Sequence, residues 1–159
     1  MSIFQTSREL SAPPEAVFAA ISDPQRLARW WGPEGFTNSF HAFEFRPGGP
    51  WTFTMHGPNG ADYANESEFS EIVANSRVVV RHLSQPHFVL TITLSPSDGG
   101  TRVAWVQAFD DPAVAAAVRH IVEPSNEQNL DRLALEVGSY PKVSTNKIFA
   151  SNQPPAPAE

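Results

Sequence analysis

The sequence predicts an α+β fold. A curved antiparallel sheet of about seven short strands surrounds one long C-terminal helix, with two short helices after the first strand. Three observations lead there. Hydrophobicity alternates residue by residue through the middle of the chain, where Trp51, Phe53 and Met55 interleave with Thr52, Thr54 and His56. Gly- and Pro-rich turns punctuate that stretch: RPGG at 46–49, GPNG at 57–60 and SPSDGG at 95–100. Before and after it, the apolar period lengthens toward that of a helix.

Ile3–Leu10 reads as the first strand, ended by Ala12-Pro13-Pro14. Proline suits the first helical turn, so the pair opens a short helix striped by Val17, Phe18 and Ile21. Asp23-Pro24 opens a second, with Asp as N-cap. It runs to Trp31, placing Leu27, Trp30 and Trp31 on one stripe, and Gly32-Pro33 stops it. On that spacing Trp31 plugs the core and Trp30 stands near the mouth of a cavity. Phe43 and Phe45 belong to the next strand. Trp51–Met55, Tyr63–Ile72, Arg77–Leu83, Phe88–Leu94 and Arg102–Phe109 complete the meander. Asp111-Pro112 opens the C-terminal helix, striped by Val114, Ala117, Val118 and Ile121. Pro124 is expected to break it in two. Ser125-Asn126-Glu127-Gln128 matches a capping box that restarts it. Leu130, Leu133, Ala134 and Val137 then continue the stripe to Gly138. Residues 1–140 make one domain; the proline-rich tail 141–159 reads as disordered.

Composition excludes several function classes. The net charge is −6, from 11 basic and 17 acidic residues, which argues against nucleic-acid binding. There is no cysteine, so disulfides, thiol catalysis and thiolate metal sites are excluded. That fits a cytoplasmic protein. The N-terminal MSIFQTSREL lacks a signal-peptide apolar region, and no apolar run reaches the ~20 residues of a membrane span.

One long helix over one face of a curved sheet leaves an interlayer space. The residues placed to line it are Trp30, Trp31, Phe43, Phe45, Trp51, Phe53, Met55, Tyr63, Phe69, Phe88 and Trp105, with Val118 and Ile121 from the helix. They read equally as plain core or as cavity wall. Polar residues share their parity: Asn65 and Ser67 with Tyr63 and Phe69, Gln107 with Val103 and Trp105, His82 with Val78 and Val80. A polar side chain on an apolar face requires a partner, either structural or a ligand. His41, His56, His82, His87 and His120 lack zinc-site spacing, so no metal is expected. A Ser-His-Asp triad can be written from any chain this size, and no GxSxG elbow supports one. RPGG and GPNG lack a phosphate loop's ending. Arg46 reads as an ion-pair or carbonyl-capping residue. No acid–base pair stands out, so neither a catalytic residue nor a cofactor is assigned.

Particular motifs carry a resemblance over about residues 3 to 137. They are Ala12-Pro13-Pro14-Glu15-Ala16-Val17-Phe18, Asp23-Pro24, Trp30-Trp31-Gly32-Pro33, and Arg46-Pro47-Gly48-Gly49 followed by Trp51. Gly57-Pro58-Asn59-Gly60, Thr101-Arg102-Val103 and Asn129-Leu130-Asp131-Arg132-Leu133 agree in order and place. Together they resemble the START-like (SRPBCC, birch-pollen-allergen-like) superfamily with its helix-grip fold. Within it, the match is to the family named for the C-terminal domain of the activator of the ninety-kilodalton heat-shock chaperone's ATPase. The sequence departs from that pattern in three ways. Glu123-Pro124-Ser125-Asn126-Glu127-Gln128 replaces a Gly-Trp before the final helix, Glu44 stands where Asp is common, and the co-chaperone's separate N-terminal domain has no counterpart.

The resemblance implies binding of a small hydrophobic or aromatic ligand, or a lipid, between sheet and helix. The alternative is a protein-interaction module, chaperone-associated or homodimeric. A polyketide cyclase- or aromatase-like enzyme ranks third.

Overall fold

A computed structural model describes residues 2–138. The predicted tail at 141–159 lies outside the described residues. The elements are β1 (Ile3–Leu10), α1 (Pro14–Ser22), α2 (Pro24–Trp30), β2 (Thr37–Phe43), β3 (Pro50–His56), β4 (Asp62–Val73), β5 (Arg77–His82), β6 (Phe88–Ser97), β7 (Gly100–Phe109) and α3 (Pro112–Gly138). All seven strands form one antiparallel sheet in the order β1-β7-β6-β5-β4-β3-β2. Six strands follow one another as a meander, and β1 returns to pair with β7, from Ile3↔Ala108 to Leu10↔Thr101. This is the helix-grip arrangement expected, with α1 and α2 leading the chain from β1 at one sheet edge to β2 at the other.

Local chemistry explains the starts. Asp23 accepts a hydrogen bond from the Gln25 amide at 2.9 Å, capping α2, and Asp111 accepts one from Ala113 at 2.9 Å beside the start of α3. Bulges between Phe40 and Ala42 and between Phe69 and Glu71 bend the sheet, which keeps one face concave.

Three expectations are corrected. Phe45 lies just outside β2, at the turn into β3, although it still packs on the core. Second, α3 is continuous through Pro124. Proline there loses its own amide donor and crowds the carbonyl four residues back, and tertiary bonds hold the second half in line. Arg8 on β1 binds Asp131 Oδ1 at 2.6 Å and Glu127 Oε1 at 3.0 Å. The capping box therefore lies inside a helix rather than starting one. Third, the inward stripe in the first half of α3 is Val114, Ala115, Val118 and Val122, packed around Phe4 and Phe109. Ala117 faces out, and Ile121 is 56% exposed. The alanine-rich first turns allow more than one apolar stripe, and packing selects among them.

The main core joins the concave sheet face to α1, α2 and the second half of α3 through Val17, Ile21, Leu27, Trp30, Leu130 and Leu133. A smaller cluster sits under the first half of α3. Among the described residues, no helix is long and apolar enough to cross a membrane.

Candidate functional site

Strand pairing lays one row of side chains across the concave face. Phe109 opposes Phe88, Phe88 opposes His82, His82 opposes Ser67, Ser67 opposes Trp51, and Trp51 opposes Phe43. Beside this row stand Phe53 and Asn65, then Met55 and Tyr63. On the other side come Trp105 and Ile92, themselves paired.

All four tryptophans of the chain meet here. The Trp31 ring is 4.9 Å from Trp51, 5.7 Å from Trp30 and 5.8 Å from Trp105, centroid to centroid. Trp51 also stacks on Phe53 and Phe69. The expected roles of the adjacent pair are reversed. Trp30 is the plug, 1% exposed, its indole N–H donating to the Ala20 carbonyl at 2.9 Å. Trp31 is half-buried. The helix ends at Trp30, and Trp31 has extended dihedrals (φ −70°, ψ 134°), so the helical spacing from Leu27 no longer governs it.

The segment carrying the pair is gripped by α3. Asn129 donates to the Trp30 carbonyl at 2.9 Å and accepts from the Gly32 amide at 3.2 Å. The Arg132 guanidinium donates to five carbonyls, those of Arg29, Trp31, Gly32, Pro33 and Phe36. Burial holds its pKa below the usual arginine value. Gly32 permits this turn: its φ is +97°, and a Cβ there would lie 2.7 Å from Met55 Cε. Next to it, Glu136 bonds Arg26 Nε at 2.8 Å and Arg29 Nη2 at 2.8 Å. Burial raises the Glu136 pKa, but the bonds and charges of Arg29 and Arg26 outweigh it and hold the carboxyl below its ordinary value. Sequence reasoning assigned none of these contacts. The signal available was the co-occurrence of the Trp-Trp-Gly-Pro and Asn-Leu-Asp-Arg-Leu motifs, which turn out to bind one another.

The inward polar groups fall into three sets. The Ser67 hydroxyl donates to the Trp51 carbonyl at 2.7 Å and is satisfied. Gln107 accepts from Asn126 of α3 at 3.1 Å, which ties helix to sheet. His82 stacks on Phe88 at 4.5 Å and places Nδ1 2.8 Å from the Pro86 carbonyl and Nε2 2.7 Å from Asn65 Oδ1. Burial lowers the His82 pKa, against the pull of the Pro86 and Ser84 backbone. A neutral imidazole has one N–H, so it can donate to only one of those two acceptors and leaves the other open.

Two further donors have no partner among the described residues: the indole N–H groups of Trp51 and Trp105, 1% and 2% exposed. Of the other residues placed at this site, Phe43, Phe45, Met55, Phe88 and Val118 are half-buried against the core, and Phe53 and Phe69 are buried. Tyr63 is 47% exposed and, like Ile121, stands at the surface rather than inside. An open groove of about 330 Å³ runs between β1 and α3, lined by Phe4, Gln5, Thr6, Glu123, Pro124, Asn126 and Glu127, beside the Gln107–Asn126 bond. Among the described residues no three His, Cys, Asp or Glu side chains cluster as a metal site.

Solved structures share this architecture. A Chromobacterium violaceum protein is 29% identical, with TM-score 0.74, covering 84% of this chain and 96% of its own. The AHSA1 protein of Silicibacter pomeroyi is 25% identical, with TM-score 0.70 and coverages of 86% and 97%. A Nitrosomonas europaea protein, 21% identical with TM-score 0.78 and coverages of 86% and 94%, shares the fold. No curated protein matches the chain. The sequence profile of the Activator of Hsp90 ATPase homolog 1-like protein family matches residues 11–138, and the chain belongs to that family.

Proposed function

We propose that this protein binds a small, largely aromatic molecule carrying a hydrogen-bond acceptor, held between the concave sheet face and α3. The observation that carries this reading is the pair of buried, unpartnered indole N–H groups on Trp51 and Trp105. Leaving a buried donor unsatisfied costs about 1–3 kcal/mol. A ligand acceptor offsets that cost, and a hydrocarbon cannot. Both indoles pack on Trp31, the half-buried member of the cluster. The aromatic walls favour a flat ligand, which they contact edge-on or by offset stacking. Asn65, His82 and Gln107 add polar groups on the same face.

The test is a paired titration followed by tryptophan fluorescence. Naphthalene and 1-naphthaldehyde have similar shape, but only the aldehyde has an acceptor. The aldehyde should bind at least several-fold more tightly, and Trp51→Phe and Trp105→Phe should reduce that preference. Equal affinities, or absence of binding by both, would sink the reading.

A further inference from the structure

We infer that Ser39, His56 and Asp62 form a nucleophilic triad on the convex face of the sheet, competent to take an acyl group from a small, unhindered carboxylic ester. This surface lies on the side of β2–β4 opposite to Trp51, Phe53 and Met55, because alternate residues of a strand point to opposite faces. The site is therefore independent of the interlayer ligand reading.

The geometry follows from two hairpins. The turn at 57–60 pairs His56 with Asp62, and β2 pairs Thr37 with His56 and Ser39 with Thr54. His56 thus stands between Asp62 on one neighbouring strand and Ser39 on the other. Its Nδ1 lies 2.8 Å from Asp62 Oδ1, and its Nε2 lies 2.7 Å from Ser39 Oγ. A carboxylate only accepts, so Nδ1 carries the proton and donates to Asp62. In the neutral ring, Nε2 is then the acceptor for the Ser39 hydroxyl proton. These are the roles by which a Ser-His-Asp triad is recognised on unrelated folds.

Next to Ser39, Thr54 has its hydroxyl 2.8 Å from His41 Nε2. If that nitrogen donates to Thr54 Oγ1, the Thr54 hydroxyl hydrogen is left to point toward charge developing beside Ser39. Directly opposite Thr54 on β4 is Ala64, an exposed small residue that keeps the surface low on the far side of Thr54 from Ser39. Ser39, Asp62 and Ala64 are all exposed, so the substrate class is small activated esters rather than long-chain ones.

The reaction balances without an external oxidant or reductant. Ser39 Oγ attacks the ester carbonyl as His56 Nε2 removes its proton. The tetrahedral adduct collapses, the C–O bond to the alcohol breaks, and the proton on His56 passes to the leaving alkoxide. Water then attacks the Ser39 ester by the same base, and release of the carboxylic acid restores the hydroxyl. Ser39 and His56 are the catalytic residues; Asp62 is a positioning residue that fixes the imidazole tautomer. Its side chain is 63% exposed, so the rate enhancement it gives is modest.

The probe is p-nitrophenyl acetate, with phenolate release followed by absorbance and acetylated residues located by peptide mass spectrometry. The expected result is release that depends on Ser39, with acetyl on the peptide containing Ser39 at early times. Ser39→Ala should abolish that label, and His56→Gln should slow release by roughly 10²-fold. Asp62→Asn should slow release, because the side chain no longer fixes the imidazole tautomer, and Asp62→Glu should recover part of that loss. All three positions lie at or near the surface, so the variants should match the parent in thermal unfolding, which separates lost chemistry from lost fold. Release unchanged by Ser39→Ala or His56→Gln, acetyl found only on lysines or other histidines, or no release above buffer would each overturn the assignment.

Discussion

Replacing Arg132 by methionine isolates the grip between α3 and the segment after α2. The substitution keeps an unbranched apolar stem and deletes the guanidinium. In the parent, Nη1 lies 3.1, 2.9 and 2.9 Å from the carbonyls of Trp31, Gly32 and Pro33. Nη2 lies 2.7 and 3.0 Å from those of Arg29 and Phe36. Two amino groups offer four N–H bonds to five acceptors, so at least one donor is shared. A bond from a charged donor is worth about 1.5–3 kcal/mol, and a neutral one about 0.5–1.5. These bonds are not additive, because the shared geometry and the partly open loop let water replace some of them. The net loss should be about 3 kcal/mol. For a domain of this length, that lowers the unfolding midpoint by roughly 6–12 °C, at 2–4 °C per kcal/mol.

Arg132→Lys should recover less than half of the loss, because a compact ammonium cannot span both sides of the turn. The assay is thermal and urea unfolding by circular dichroism, with amide exchange at Gly32 and Glu34 as a local readout. A drop below about 2 °C for the methionine variant, or full recovery by lysine, would refute the reasoning. Packing of Trp30 and Trp31 would then hold the segment alone.

Other outcomes follow from the same contacts. The folded-state pKa of Glu136 is depressed, so its stabilising contribution is present above the ordinary value of 4.5 and is lost as pH falls through the folded value. Glu136→Gln should therefore destabilise at pH 7 by about 2–3 kcal/mol and flatten the acid limb of a urea-midpoint-versus-pH curve; parallel acid limbs would contradict this. Trp30→Phe loses a bonded indole, whereas Trp51→Phe and Trp105→Phe remove donors without acceptors. In urea unfolding the first should cost about 1–2 kcal/mol more than either of the others, and equal losses would mean the two indoles already have partners. Gly32→Ala, with φ at +97° and Met55 Cε in the way, should cost about 1–3 kcal/mol. A neutral effect in calorimetry would show that the turn relaxes freely.

Most of the fold was legible because its signals are local. Alternation at Trp51-Phe53-Met55, the turns at 46–49, 57–60 and 95–100, and the Asp-Pro pairs each depend on a few neighbouring residues. The concave-face row from Phe109 to Phe43 follows from parity once the strands are known. What failed was also physical. Pro124 reads as a break, but Arg8 holds Glu127 and Asp131 from another element 119 and 123 residues away. The α3 stripe was misphased because alanine gives little amphipathic contrast.

Sequence alone determined the element order, the strand parity that turns Trp51, Ser67, His82 and Trp105 inward, the absence of thiol chemistry, and the family to which the motifs belong. These depend on local propensity and period. Tertiary structure decided which of Trp30 and Trp31 is buried, that Arg132 closes on the turn between them and the sheet, and that Ser39, His56 and Asp62 stand in line. Each of these depends on the register between strands, or the axial position of one helix against a loop about a hundred residues away. Such distances are set by how the whole core packs, and no local window of the chain encodes them.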